Sequence, residues 1–107
     1  QNYATDQQEL DSLAAEAASE PNGKLAANTA TAYLGYGDNQ KAADLYRTAL
    51  EKGGVDAADV NTRLGIALTR AGDTAGARAA FEAAKSGQNG TLADFWLAYL
   101  DAQSPAG

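Results

Sequence analysis

The residues with the most chemistry to offer are carboxylates placed three positions after another oxygen-bearing side chain. Asp59 follows Asp56, and Asp94 follows Thr91. A carboxylate pair can divide acid and base work only across an enclosed cleft, and nothing around these residues predicts one. The spacing instead sets oxygens over the free amides of a helix start, so both pairs are expected to be caps. Asp38 and Asp73 are read the same way, because no oxygen-rich calcium loop surrounds either. Asn89-Gly90-Thr91 has the form of a glycosylation acceptor and reads as a turn followed by a cap. Gly35, Gly37, Gly53, Gly54 and Gly72 do not make a phosphate loop, since none precedes a Lys-Ser/Thr pair and no strand feeds them. The aromatic cluster Phe95, Trp96 and Tyr99 remains. Neighbouring helical residues point about 100° apart, so Phe95 and Trp96 cannot share one narrow stripe and one is expected to be partly exposed. Trp96 either closes the end of the molecule or anchors a peptide or a second copy of the chain.

The elements that position these residues follow from composition. The chain has 107 residues, 14 acidic against 8 basic, a formal charge of -6 and no His, Cys or Met. Histidine bases, thiol nucleophiles, disulfides and Cys/His zinc sites are thereby excluded. No cofactor or metal is expected. The acidic balance argues against nucleic acid, which requires a basic stripe. No apolar stretch approaches the roughly 20 residues of a membrane span, and no signal peptide is visible at the start. Gln1 is not a translation start, so the chain is expected to be a processed product or a fragment. Alanine supplies 26 of the apolar residues, while Val and Ile together supply 3. Such a mixture predicts close helix packing rather than sheet.

Turn signals divide the chain into six expected helices. Asp6, with Glu9 as capping-box partner, opens the first, which runs to Ser19 and ends at Glu20-Pro21-Asn22-Gly23. The second covers Leu25 to Tyr36. Gly37-Asp38 breaks it and caps the third, Asn39 to Lys52, which Gly53-Gly54 closes. The fourth begins after Asp56 and ends at Gly72-Asp73. The fifth runs from Thr74 to Ser86, with a turn over residues 86–90. The sixth covers Leu92 to about Ala102, and Gln103 to Gly107 is a frayed tail.

Two of these pairs repeat at a spacing of 35 residues. Gly37-Asp38 matches Gly72-Asp73; Ala32, Ala42 and Ala49 match Ala67, Ala77 and Ala84; Tyr46 matches Phe81, and Tyr33 matches Leu68. A period in this range marks stacked helical hairpins, each burying its face on the next. Small residues at Ala42 and Ala77 let the helices approach closely, and the rings at Tyr46 and Phe81 fill the space beyond.

On these residues the segment resembles the tetratricopeptide repeat family. Leu64-Gly65, Leu68, Gly72-Asp73, Ala77, Phe81 and Ala84 follow the family pattern throughout. The earlier copy keeps Tyr33, Gly37-Asp38, Ala42, Tyr46 and Ala49 but has Thr29-Ala30 in place of Leu-Gly. The closing proline is absent from both. The resemblance implies an all-α, right-handed stack of antiparallel helical hairpins (an α-solenoid). Residues 1–22 would form a capping helix or the remnant of a preceding repeat, 23–57 and 58–91 two repeats, and 92–107 a terminal helix and tail. It also implies a concave groove for a peptide or helical segment. Ala27, Thr31 and Leu34 would form its first wall, and Asp59, Thr62, Ile66, Thr69 and Arg70 its second. The basic clamp for acidic tails is missing, so an uncharged or amphipathic peptide is implied. Alanine-rich repeats with Gly-Asp turns resemble bacterial members, from cytoplasm or periplasm. The expected function is a non-catalytic protein-interaction module. Its rivals are a scaffold that self-associates as a homodimer through the Trp96 end, and an accessory segment of a larger enzyme.

Overall fold

Alanine-rich stripes at helical spacing can bury themselves only against other helices, and the structure is built that way. The computed structural model describes the backbone of residues 3–85 and 90–103 and the side chains of residues 5–85 and 94–102. Among the described residues there are six helices and no strand: α1 (Tyr3–Ser19), α2 (Lys24–Gly35), α3 (Asn39–Lys52), α4 (Ala57–Ala71), α5 (Thr74–Ala84) and α6 (Gly90–Gln103). None of these helices is long and apolar enough to cross a membrane.

Each helix packs on the one before it and the one after it. A second set of contacts joins α2 to α4 and α4 to α6. The resulting body measures 43 × 29 × 19 Å, with a radius of gyration of 14.1 Å. A compact domain of this length would have about 13 Å, so the fold is somewhat elongated. Tyr33, Tyr46, Phe81, Leu68 and Leu100 are the largest fully buried side chains, set among buried alanines at 26, 30, 42, 43, 49, 67, 77, 80 and 84.

The 35-residue repeat is visible in the turns. Gly37 and Gly72 both take positive φ, 84° and 90°, a region that glycine enters without a Cβ penalty. The amide of Asp38 donates to the Tyr33 carbonyl at 3.0 Å, and that of Asp73 to the matched Leu68 carbonyl at 2.9 Å. The two caps then diverge. Asp73 accepts from the Gly76 amide at 2.9 Å, whereas Asp38 makes no side-chain cap. The residue matched to Gly76 is Lys41. Gly76 lies close under this cap, since a Cβ there would stand 2.5 Å from an Asp73 carboxylate oxygen. Asp38 turns instead toward the Lys41 ammonium, 3.9 Å away.

Other helix ends also differ from expectation. Asp6 lies inside the first turn of α1 rather than at its cap; its carboxylate accepts a hydrogen bond from the Tyr36 hydroxyl at 2.5 Å. Asp56 caps α4 as expected, accepting from the Asp59 amide at 3.1 Å. α6 starts at Gly90, so Thr91 is inside the helix, and Asp94 pairs with Lys85 at 3.4 Å. Gln103 is the last residue of α6 rather than part of the tail. The expected turn over 86–89, Asn89 of the glycosylation sequence, the Thr91 side chain and residues 104–107 lie outside the described residues.

Candidate functional site

α2 and α4 lie side by side and leave a groove of about 260 Å³ lined by Ala27, Asn28, Thr31, Asp59, Val60 and Arg63. An adjoining hollow of about 340 Å³ extends it to Lys24, Gly54, Val55 and Asp56. Small-molecule pockets are typically about 300–1,000 Å³ and bury most of their ligand. This groove is smaller than that and open along one side.

The floor is polar and ordered. Thr31 Oγ1 donates to the Ala27 carbonyl at 3.1 Å, the back-bond that lets a threonine sit in a helix. That uses its single proton, so at 2.7 Å it accepts from the Tyr46 hydroxyl. Arg63 forms the rim. Its Nε reaches both Asp59 oxygens, at 3.3 and 3.2 Å. Burial pulls the guanidinium pKa down, but the Asp59 carboxylate and the Tyr46 hydroxyl beside it outweigh this and hold it above the ordinary value. The groove therefore presents a fixed cation and carboxylate side by side, with a hydroxyl chain behind them.

Three of the eight expected wall residues, Ala27, Thr31 and Asp59, come together here. Thr62 does not; it is 3 % exposed, and its hydroxyl donates to the Ala58 carbonyl at 2.9 Å. A threonine that satisfies itself on its own helix can be buried like valine. Leu34 and Ile66 are partly buried against the core, the Thr69 hydroxyl donates to the Gly65 carbonyl at 2.8 Å, and Arg70 is exposed; none of the four lines the groove. Asn28 and Arg63 were missed, each one position along from Ala27 and Thr62. Two signals pointed to them: they match each other at 35 residues, and Asp59-Arg63 is an i,i+4 pair of opposite charge.

At the far end, Trp96 lies on Phe81, with ring centroids 5.7 Å apart and planes 10° from parallel. Trp96 is half-buried, while Phe95 is 63 % and Tyr99 40 % exposed. The available end-face surface is therefore carried by Phe95 and Tyr99 more than by Trp96. On the other side of Phe81, a Cβ added to Gly65 would meet its ring at 2.4 Å. The ring is clamped between Gly65 and Trp96.

At the opposite end, Tyr33 donates its hydroxyl to Asp11, and Lys41 reaches the same carboxylate at 3.3 Å. Lys41 also sits 5.4 Å above the Tyr33 ring. The Tyr33 hydrogen bond is the main influence holding the Asp11 carboxyl below its ordinary pKa, and burial pushes the Tyr33 phenol up. Among the described residues no group of three or more His, Cys, Asp or Glu side chains could hold a metal ion. Compared with known proteins, the chain matches no family model, no curated protein and no solved structure.

Proposed function

We propose that this chain is a non-catalytic protein-interaction module of the tetratricopeptide-repeat type, a right-handed stack of helical hairpins that takes a peptide or helical segment across α2 and α4. The observation that carries this is the groove itself: Ala27, Thr31 and Asp59 meet there with Asn28 and Arg63. Further support comes from the turns that recur at 35 residues and from α6, which contacts α4 as α4 contacts α2. Arg63 and Asp59 offer one donor fork and one acceptor pair to a peptide backbone or polar side chain. Ala27 and Val60 offer apolar contact between them.

The test is selection of binders from a displayed random-peptide library, followed by binding to wild type and to Asn28→Lys and Arg63→Glu variants. Both positions line the groove without being core residues, so folding is expected to survive. Selected peptides should lose binding to the variants and be competed by one another. Peptides that bind all three proteins equally would move the site elsewhere.

A second reading rests on the exposed Phe95 and Tyr99. Here α6 meets a second copy of the chain and the protein acts as a scaffold. Sedimentation would then show a dimer that Phe95→Ser abolishes; a monomer at every accessible concentration removes this reading.

A further inference from the structure

Pro21-Asn22-Gly23 joins α1 to α2, and its Asn-Gly pair carries a chemistry that the groove does not use. In such a pair the glycine backbone nitrogen can attack the side-chain amide carbon of the asparagine, because no glycine Cβ obstructs the approach. The nitrogen gives up its proton, the side-chain carbon–nitrogen bond breaks, and the amide group leaves with that proton as ammonia. A succinimide ring remains. Water opens the ring at either carbonyl, which yields aspartate or isoaspartate. The sum is asparagine and water to acid and ammonia.

The structure holds this pair in a joint that ring closure has to break. Gly23 is buried, and its amide donates to the Gly53 carbonyl at 2.8 Å. A succinimide nitrogen carries no hydrogen, so the reaction deletes that bond. The Asn22 side-chain oxygen accepts from the Lys24 amide at 3.0 Å, which keeps the carboxamide at the start of α2. The same side chain rests on Gly54, where an added Cβ would stand 2.9 Å from the Asn22 Cβ. Behind Gly23, an added Cβ would run into the Ala49 backbone. Lys52 completes the joint by donating to the Ala18 and Glu20 carbonyls. From Ala18 to Gly23 the chain is thus pinned to the end of α3.

We propose that Asn22 is a latent deamidation site, closed while the α1–α2 joint sits on the end of α3 and reactive when the joint lifts. The isoaspartyl product routes the main chain through the side-chain carbon and adds one methylene before Gly23. With Gly23 this close to Ala49, the lengthened chain does not restore the Gly23–Gly53 bond, and α1 does not redock. The aspartyl product keeps the original main chain and places a carboxylate at a helix start, where it is favourable. A transient opening is thereby turned into a lasting change at one end of the molecule.

The test incubates folded and urea-unfolded protein side by side at mildly alkaline pH. Products at residue 22 are read by peptide mapping with tandem mass spectrometry. Loss of ammonia from Asn22 should be about tenfold or more slower in the folded chain, because it waits on a local opening. Lys52→Gln removes one tie and leaves the reacting atoms alone; it should speed the loss several-fold while circular dichroism shows the helices intact. Equal rates in folded and unfolded protein, or a folded Lys52→Gln no faster than wild type, would overturn the proposal. The comparison of folded with unfolded wild type stands whether or not that variant folds. For the consequence, chains carrying isoaspartate at residue 22 alone are purified from urea and refolded beside Asn22→Asp. Amide exchange across α1 should be much faster in the isoaspartyl chain than in Asn22→Asp, with α4 and α5 alike in the two. Equal protection of α1 in both would overturn the lasting release of α1.

Discussion

Thr29 has a buried hydroxyl with no hydrogen-bond partner among the described residues, where the matched position of the second repeat holds Leu64. An unpaired buried hydroxyl costs about 1–3 kcal/mol. Thr29→Val keeps the shape and removes the oxygen, so urea unfolding should show a gain of about 1 kcal/mol; an unchanged midpoint would mean that the hydroxyl is satisfied in solution. Gly65 presents the opposite problem, since any side chain there must displace the clamped Phe81 ring. Gly65→Leu is expected to lose about 1–3 kcal/mol by overpacking, and a melt like wild type would show that the ring can yield. The first repeat uses a hydroxyl pair, Thr31 and Tyr46, where the second has Ile66 and Phe81. In a double-mutant cycle, Thr31→Ile and Tyr46→Phe should couple by about 0.5–1.5 kcal/mol; additive effects would mean that the 2.7 Å contact contributes nothing. These pairs explain how far the site could be read from residue types. Thr31 and Asp59 were legible because their chemistry faces outward. Thr62 was not, because its back-bond to Ala58 conceals a polar residue in the core.

At the scale of the element, α1 is held by few apolar residues, with only Leu10 and Ala17 of its described side chains buried. Polar links supply the rest: Asp6 to Tyr36, Asp11 to Tyr33 and Lys41, and the Lys52 ammonium to the Ala18 and Glu20 carbonyls at 2.9 and 2.8 Å. The depressed Asp11 pKa fixes the sign of the pH dependence. Its contribution is full above the ordinary value of 3.8 and is lost as pH falls through the lower folded value. Acid denaturation should therefore be steeper for wild type than for Asp11→Asn, and identical profiles would remove Asp11 from the attachment of α1. Helix identity was legible throughout, and α3 runs between the expected residues because a glycine or Gly-Asp signal stands at each end. α1 starts three residues before Asp6 because the side chain that resembled a cap is engaged by Tyr36, a partner 30 positions away. Asp38 makes no cap; its carboxylate lies toward the Lys41 ammonium, where the second repeat has Gly76.

For the molecule as a whole, packing is strongest in the middle, where α3 lies between α2 and α4, and α4 touches α2, α3, α5 and α6. In chains built by stacking, the ends open first. Amide exchange should be slowest in α3 and α4 and fastest in α1 and α6, and uniform protection would show that all six helices unfold as one unit. The stack of Trp96 on Phe81 has a spectroscopic consequence. The chain has a single tryptophan, and it sits on the last helix, so intrinsic fluorescence watches the seam between α5 and α6. Far-ultraviolet circular dichroism watches every helix. A melt in which the emission shift precedes the loss of ellipticity would record the last helix lifting away while the remainder stays folded, with no label added to the protein.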